Sequence, residues 1–249
     1  LSSDRSYSMR GNGIYSPAFV SGLFDRMSRT YGVINYISSF GFSEIWRRQC
    51  VRRIDWSEYA RDHLTLDLMS GMGECWHLIR DRSATRIIGV DFSGEMVKKS
   101  LRQAERNSLA GVTVLQEDIL DNSLGSERAD VIVSSFGLKT FDDVQLQALA
   151  AEVARLLRPG GTFSFVEISV PKNFLLRPLY MFYLQKVIPV IGKYFANDAY
   201  SYKYLGIYTA NFENAERFVG YLSDARLNAA FQSYFFGCAT GVIGTKPLS

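Results

Sequence analysis

The stretch LTLDLMSGMGECWHLI, residues 64–79, sets an aspartate, a serine and two glycines where an alternating apolar run gives way to a helical pattern. Gly71 and Gly73 let the backbone turn sharply and approach a ligand more closely than a Cβ would permit. At the carboxyl end of a first strand, such a loop lies where open α/β sheets bind their ligands. Two phosphate loops are excluded. Trp76 stands where a dinucleotide fingerprint needs its third glycine, and no Gly-Lys-Ser/Thr follows. On its own, a plain structural turn accounts for the glycine pair equally well.

Two further carboxylates fall at comparable places. Asp91 ends IIGVD, eighteen residues after Gly73. A carboxylate there can accept both hydroxyls of an adenosine ribose. The alternative is a helix N-cap, although Ser93 already offers one. Asp118, in VLQEDIL, follows a third strand and could face the adenine edge, while singly it reads as a turn residue. A glycine loop and two acids after three successive strands, facing one crevice, form a stronger pattern than any one of them. In LLRPGGTFSFVE (156–167), Pro159 stops a helix and Gly160-Gly161 turn the chain into a strand.

Those loops need elements to hold them. Strand-like segments occur at 64–69, 86–90, 112–116, 130–136 and 162–169, with helix-like stretches near 75–81, 94–108 and 143–157. That alternation argues for βαβ units and a mainly parallel sheet. NAAFQSYFF (228–236) and ATGVIGT (239–245) are close enough to form a closing hairpin. The sum is an α/β fold: a doubly wound, Rossmann-like, seven-stranded, mostly parallel sheet with an antiparallel edge hairpin. Residues 17–60 read as helices before the sheet, and 171–211 as an aromatic-rich insertion after the fifth strand. One domain over 17–249 is expected, with a lid made from those two segments, behind a mobile tail over 1–16.

Composition narrows the function classes. Of 249 residues, 47% are hydrophobic and 21% charged, and the net charge of +3 is too modest for a nucleic-acid binder. The densest basic cluster, Arg47, Arg48, Arg52 and Arg53, reads as the solvated face of an amphipathic helix. Cys50, Cys75 and Cys238 have neither disulfide-framework nor zinc-site spacing, so a reducing, cytoplasmic compartment is expected. The longest apolar stretch, residues 174–195, is interrupted by Arg177, Gln185 and Lys186, and by Pro178 and Pro189. It reads as a greasy cap or as an element in peripheral contact with a membrane surface, not as a span.

The series Asp67…Gly71-x-Gly73, Asp91, Asp118 and Arg158-Pro159-Gly160-Gly161 resembles the class I S-adenosylmethionine-dependent methyltransferases. The resemblance narrows with LFDRMSRTYGVINYISSFGFSEIWRR (23–48), VIPVIGKYFANDAYSYKYL (187–205) and FGCATGVIGTKP (236–247), which are similar to segments of the ubiquinone/menaquinone-biosynthesis C-methyltransferases. It covers about residues 18–247. It implies S-adenosyl-L-methionine as cofactor, held by Asp67, Ser70, Gly71, Gly73, Asp91, Phe92, Met96, Asp118, Ile119 and Ser135, and no metal, because the sulfonium methyl is already activated. It implies a small hydrophobic or aromatic acceptor, quinone-like or a natural-product ring, methylated on carbon or oxygen. A cofactor-binding paralogue that guides a non-methylating step such as cyclisation is the alternative. SSFGLKTF after the fourth strand lacks the Asn-Pro-Pro-Tyr type of motif used on flipped bases.

Departures from the family pattern concentrate near the expected acceptor. Tyr31-Gly32 replaces Tyr-Asp, and Gly137-Leu138-Lys139-Thr140 replaces Gly-x-Arg-Asn, a pair that in the family lies over the reacting ring. Lys139 keeps the charge but loses the planar fork. Met72 and Glu74 stand for Thr and Asp, Gly206-Ile207-Tyr208 for Glu-Ser-Ile, and Val242 for a histidine. Activating a ring carbon requires a neighbouring hydroxyl to lose its proton; Tyr31, Lys139 and one of Tyr200, Tyr202 or Tyr204 are the candidates to orient or deprotonate it. For each tyrosine the alternative is a packed ring. His63 and His77 have the residue type of a base but unsuitable places. Phe174, Leu175, Leu179, Tyr180, Phe182, Tyr183 and Ile188 are the expected apolar entrance.

Overall fold

The structure is a computed structural model and describes residues 13–28, 39–59, 63–83 and 85–248. Among the described residues two α-helices precede the sheet, α1 (Pro17–Met27) and α2 (Phe42–Arg52). Then come β1 (Leu64–Leu68), α3 (Trp76–Arg80), β2 (Arg86–Asp91), α4 (Gly94–Arg106), β3 (Val112–Gln116), β4 (Ala129–Ser135), α5 (Asp143–Leu156) and β5 (Leu157–Ile168). After β5 the chain runs through α6 (Leu176–Phe182), a π-helical turn (Tyr183–Val187), α7 (Ile188–Ala196), α8 (Ala199–Phe212) and α9 (Glu216–Asp224) before β6 (Asn228–Tyr234) and β7 (Ala239–Thr245). The seven strands lie in the order β3-β2-β1-β4-β5-β7-β6, and β7 alone runs against its neighbours.

The alternation of side chains explains why these segments are strands. Leu66, Leu68 and Ile132 enter one core with α5 and α9, through Leu146, Leu149, Val153, Phe218 and Leu222. Ile87, Val131 and Val133 face the other side, against Val51, Trp76 and Ile79. A third cluster joins α1 to the segment after β5, with Val20, Leu23 and Met27 against Leu184, Ile188, Tyr202 and Tyr208.

Several boundaries differ from the sequence reading, three of them for a clear structural reason. The fifth strand starts at Leu157, not 162: Leu157 pairs with Ala129, and Arg158–Gly161 then bulge before Thr162 meets Val131. Gly160 makes that bulge at φ +77°, and its N–H donates to the Lys246 carbonyl. The sixth strand stops at Tyr234, because Phe235, Phe236 and Gly237 all take left-handed conformations. Residues 13–16, expected as part of a mobile tail over 1–16, are built into the fold: residues 13–15 form a 3-10 turn, Ser16 caps α1, and Gln145 donates to the Tyr15 carbonyl at 3.1 Å. Residues 1–12 lie outside those described.

A Cβ on Gly241, in the strand squeezed between β5 and β6, would overlap the Phe165 carbonyl oxygen. Gly241→Ala is expected to lower unfolding free energy by at least about 2 kcal/mol, measured as a shifted urea midpoint.

Candidate active site

A crevice crosses the carboxyl ends of β1 to β4. One end is lined by Val90, Asp118, Ile119 and Phe141, with Tyr15, Pro17 and Val20 from the start of the described chain. The other is lined by Ser70, Gly71, Glu74, Met96, Ser135 and Gly137, with Phe24 of α1 and Arg47 of α2. Met69, Asp91, Phe92 and Thr140 line both ends, so the two form one elongated site. Of the residues expected to hold a cofactor, Ser70, Gly71, Asp91, Phe92, Met96, Asp118, Ile119 and Ser135 all meet here.

Asp67 and Gly73 do not line the crevice. Asp67 is buried among them, one layer below. Gly73, at φ +79°, makes room for Trp76: a Cβ there would sit 2.5 Å from the indole ring, and one on Gly89 would sit 2.6 Å from it. The residue that breaks the dinucleotide pattern is therefore the one the glycine loop rests on. Asp91 and Ser93 divide the two roles that sequence left open. Ser93 caps α4, accepting from the Met96 N–H at 3.2 Å. Asp91 accepts from the Gly71 N–H at 2.8 Å and the Ser93 N–H at 2.9 Å and faces the crevice.

Acid dominates the charge of this end. Burial, and then the neighbouring Glu74 carboxylate, push the Asp67 pKa up to about 8. Burial also raises Asp91 to about 6, against the pull of its two backbone donors, and it raises Asp118. Arg47 places its guanidinium 3.3 Å from Glu74 and 5.0 Å from the centre of the Phe136 ring. The solvated-face reading fails for this arginine alone: Arg48, Arg52 and Arg53 are exposed, while Arg47 is buried on the same stripe as Ser43, Cys50 and Val51. That four-and-seven spacing was the available signal.

S-adenosylmethionine fits what is present. Its ammonium and sulfonium match Glu74 and Asp91 on this wall, with Asp67 buried behind them, and Ser70 leaves a buried hydroxyl without a hydrogen-bond partner at the wall. Gly71, at φ +55°, lets the main chain turn beside it.

A second hollow, of about 300 Å³, shares Phe136 with the crevice. Phe40, Phe42, Trp46, Tyr180, Tyr183, Ile188 and Phe235 wall it, and among the described residues Lys139 is the single charged one on its lining. Lys139 sits in a 3-10 turn after β4, and its Nζ donates to Glu167 at 2.8 Å and to the Phe136 carbonyl at 2.8 Å. Glu167, wholly buried in β5, also accepts from the Lys139 and Ile168 N–H groups. It was missed; the signal was a carboxylate inside the apolar alternation TFSFVEIS.

Other expected residues fall elsewhere. Tyr202 is packed in the third core cluster against Gly192, and Tyr200 is half exposed, with its hydroxyl on Tyr204 and its ring under Arg26. Neither lines the hollow; Tyr180 and Tyr183 do. Burial holds the Tyr180 phenol well above its usual pKa, with its hydroxyl on the Cys238 carbonyl. Tyr31 lies outside the described residues. His63 stacks near Tyr59 at the far end of β1, and His77, on α3, meets Glu44 of α2. Of the expected entrance, Leu179, Tyr180, Tyr183 and Ile188 line the hollow, whereas Phe174, Leu175 and Phe182 point to solvent.

Asp91→Ala is expected to weaken S-adenosylmethionine binding by about 1–3 kcal/mol, read by calorimetry. A cation binds the ionised forms of Asp67 and Asp91, which are depleted below their raised pKa values. Affinity should therefore rise at least about tenfold from pH 5.5 to 7.5, with protons released and a heat that depends on the buffer.

The sequence profile of the ubiE/COQ5 methyltransferase family matches residues 13–246. The ubiquinone/menaquinone biosynthesis C-methyltransferase UbiE of Geotalea daltonii is 33% identical over 234 residues, 91% of this chain and 96% of the relative. The demethylmenaquinone methyltransferase of Lactiplantibacillus plantarum is 31% identical, over 91% and 95%. Among solved structures, a candidate S-adenosyl-L-methionine-dependent methyltransferase from Methanococcus maripaludis shares the fold, with TM-score 0.60 at 19% identity over 95% and 96% of the two chains. The chain belongs to the ubiE/COQ5 methyltransferase family and is a class I S-adenosylmethionine-dependent methyltransferase.

Proposed function

We propose that this enzyme methylates a carbon of an apolar aromatic ring of the quinol type, held in the hollow beside the cofactor crevice. One observation carries the reading: among the described residues the hollow is lined mainly by aromatic and aliphatic side chains, Lys139 is its one charged group, and it meets the crevice at Phe136. At about 300 Å³ it lies at the small end of ligand pockets, roughly 300–1,000 Å³. The names of the relatives, a C-methyltransferase and a demethylmenaquinone methyltransferase, support the same class of acceptor.

When bound, the cofactor supplies a methyl group already activated on a positive sulfur. The chain has to align a nucleophile with it and exclude water. A ring carbon becomes nucleophilic when a ring hydroxyl gives up its proton and its electron pair is shared into the ring. Lys139 has three N–H donors, of which two are held by Glu167 and the Phe136 carbonyl. The third is free to meet the ring oxygen and to favour its anionic form. Tyr180, its proton held tightly and its hydroxyl committed to Cys238, serves as wall and not as base. The aromatic lining keeps bulk water from the reacting carbon.

Incubation with a reduced naphthoquinol should yield S-adenosylhomocysteine and a ring-methylated product, both read by mass spectrometry. An acceptor consumed without S-adenosylhomocysteine would point to a non-methylating step instead. Because losing Lys139 alone strands a buried carboxylate, the informative variant is Lys139→Met combined with Glu167→Gln. It should lose about a hundredfold or more in kcat while cofactor affinity stays within about twofold.

A further inference from the structure

We propose that the outer face of α6, the π-helical turn and α7 docks onto an anionic lipid bilayer, setting the mouth of the acceptor hollow against the membrane surface. The inner face of this segment is spent on the fold, since Leu184 and Ile188 enter the third core cluster and Tyr180, Met181, Tyr183 and Ile191 pack against it. Its outer face is nevertheless also apolar. Phe174, Leu179, Phe182, Tyr194 and Phe195 are each 62–79% exposed, and Leu175 and Val190 lie exposed among them. A helix apolar all round is one whose second face has an apolar neighbour. Water does not provide one.

Charge selects the neighbour. Between residues 171 and 197 the chain carries Lys172, Arg177, Lys186 and Lys193 and no acidic residue, in a protein whose 25 acids nearly balance its 28 bases. All four are exposed, and only Lys172 has a salt bridge, to Glu216. Leu175, Leu179 and Phe182 before or at the start of the π-helical turn, Lys186 within it, and Val190 and Lys193 after it are all exposed, so cations are interspersed with apolar side chains. Long basic side chains on such a face can lie along the acyl boundary and raise their heads to phosphate. A second copy of this chain is a poorer fit: a two-fold contact would bring this all-basic segment against itself, with no acid of its own to pair.

Position adds function. Phe40, Leu179 and Phe235 are exposed and also line the hollow, so the apolar face continues into its mouth. An acceptor with a lipid tail could then reach the hollow from the bilayer without crossing water. That consequence rests on the acceptor proposed above, whereas the docking itself does not. No helix among the described residues is long and apolar enough to cross a membrane, so the contact is peripheral.

The test is co-sedimentation of the whole chain with vesicles of phosphatidylglycerol and phosphatidylethanolamine, and with vesicles of phosphatidylcholine alone. Binding to the anionic vesicles should be at least tenfold stronger than to the neutral ones, and should weaken between 0.05 and 0.5 M salt. Phe174→Ser combined with Phe182→Ser and Phe195→Ser should reduce it at least tenfold while turnover of a tail-less, water-soluble acceptor is unchanged, since none of the three lines crevice or hollow. Lys186→Glu with Lys193→Glu should abolish the preference for anionic lipid and leave the melting temperature intact. Equal binding by wild type and the serine variant, or none by wild type, would overturn the proposal. So would a wild-type dimer that ignores vesicles and becomes monomeric in the serine variant. Loss of vesicle binding with turnover of the soluble acceptor intact leaves the methyl-transfer reading standing.

Discussion

The packing of one indole sets the height of the whole cofactor site. Trp76 is fully buried beneath the loop after β1, and two glycines, Gly73 in that loop and Gly89 in β2, exist at those positions because any side chain would strike the ring. With the loop supported from below, the Gly71 N–H reaches the Asp91 carboxylate at the end of the next strand. That bond ties the first two strand ends together across the crevice floor. In dinucleotide folds a third glycine brings helix and strand close; here a large ring fills the same space and spreads the load over both strands.

On this floor the site stores electrostatic tension. Asp67, Glu74 and Asp91 lie near one another, and buried Arg47 is the cation that answers them from the crevice wall. Burial is the main cause of the raised pKa values of Asp67 and Asp91, and the neighbouring Glu74 carboxylate adds to it. A cationic ligand at this end would favour the ionised forms of these buried carboxylates. The acceptor side is organised on the opposite principle. There Lys139, the single charge on the lining among the described residues, is paired with the wholly buried Glu167, which main-chain donors hold as well.

Much of this was legible because it is local. Asp91, Ser93, Gly71 and Asp118 follow from rules about what stands at the end of a strand and the start of a helix, and the structure puts them there. What was hidden depended on partners far away in sequence. Arg47 looks like Arg48 until Glu74 and Phe136 are folded against it. Glu167 reads as an interruption of an apolar strand until Lys139 arrives from the neighbouring one. Tyrosines are alike on paper: those expected near the acceptor, Tyr200 and Tyr202, sit on α8, while Tyr180 and Tyr183 reach the hollow from either side of the start of the π-helical turn. A π-turn shifts the phase of every later side chain, and nothing in the spacing of YLQKV announces it.

The placement of β7 has a consequence for how the molecule comes into being. The last strand is threaded between β5 and β6, so β6 has no partner and the fifth strand keeps an open side until residues 239–245 take their place. During synthesis the chain must therefore wait, with its central sheet incomplete and the edge of β5 open to wrong pairing, until the final strand leaves the ribosome. β7, the latest of the seven strands along the sequence, is the one that closes the open side of β5 and gives β6 its partner.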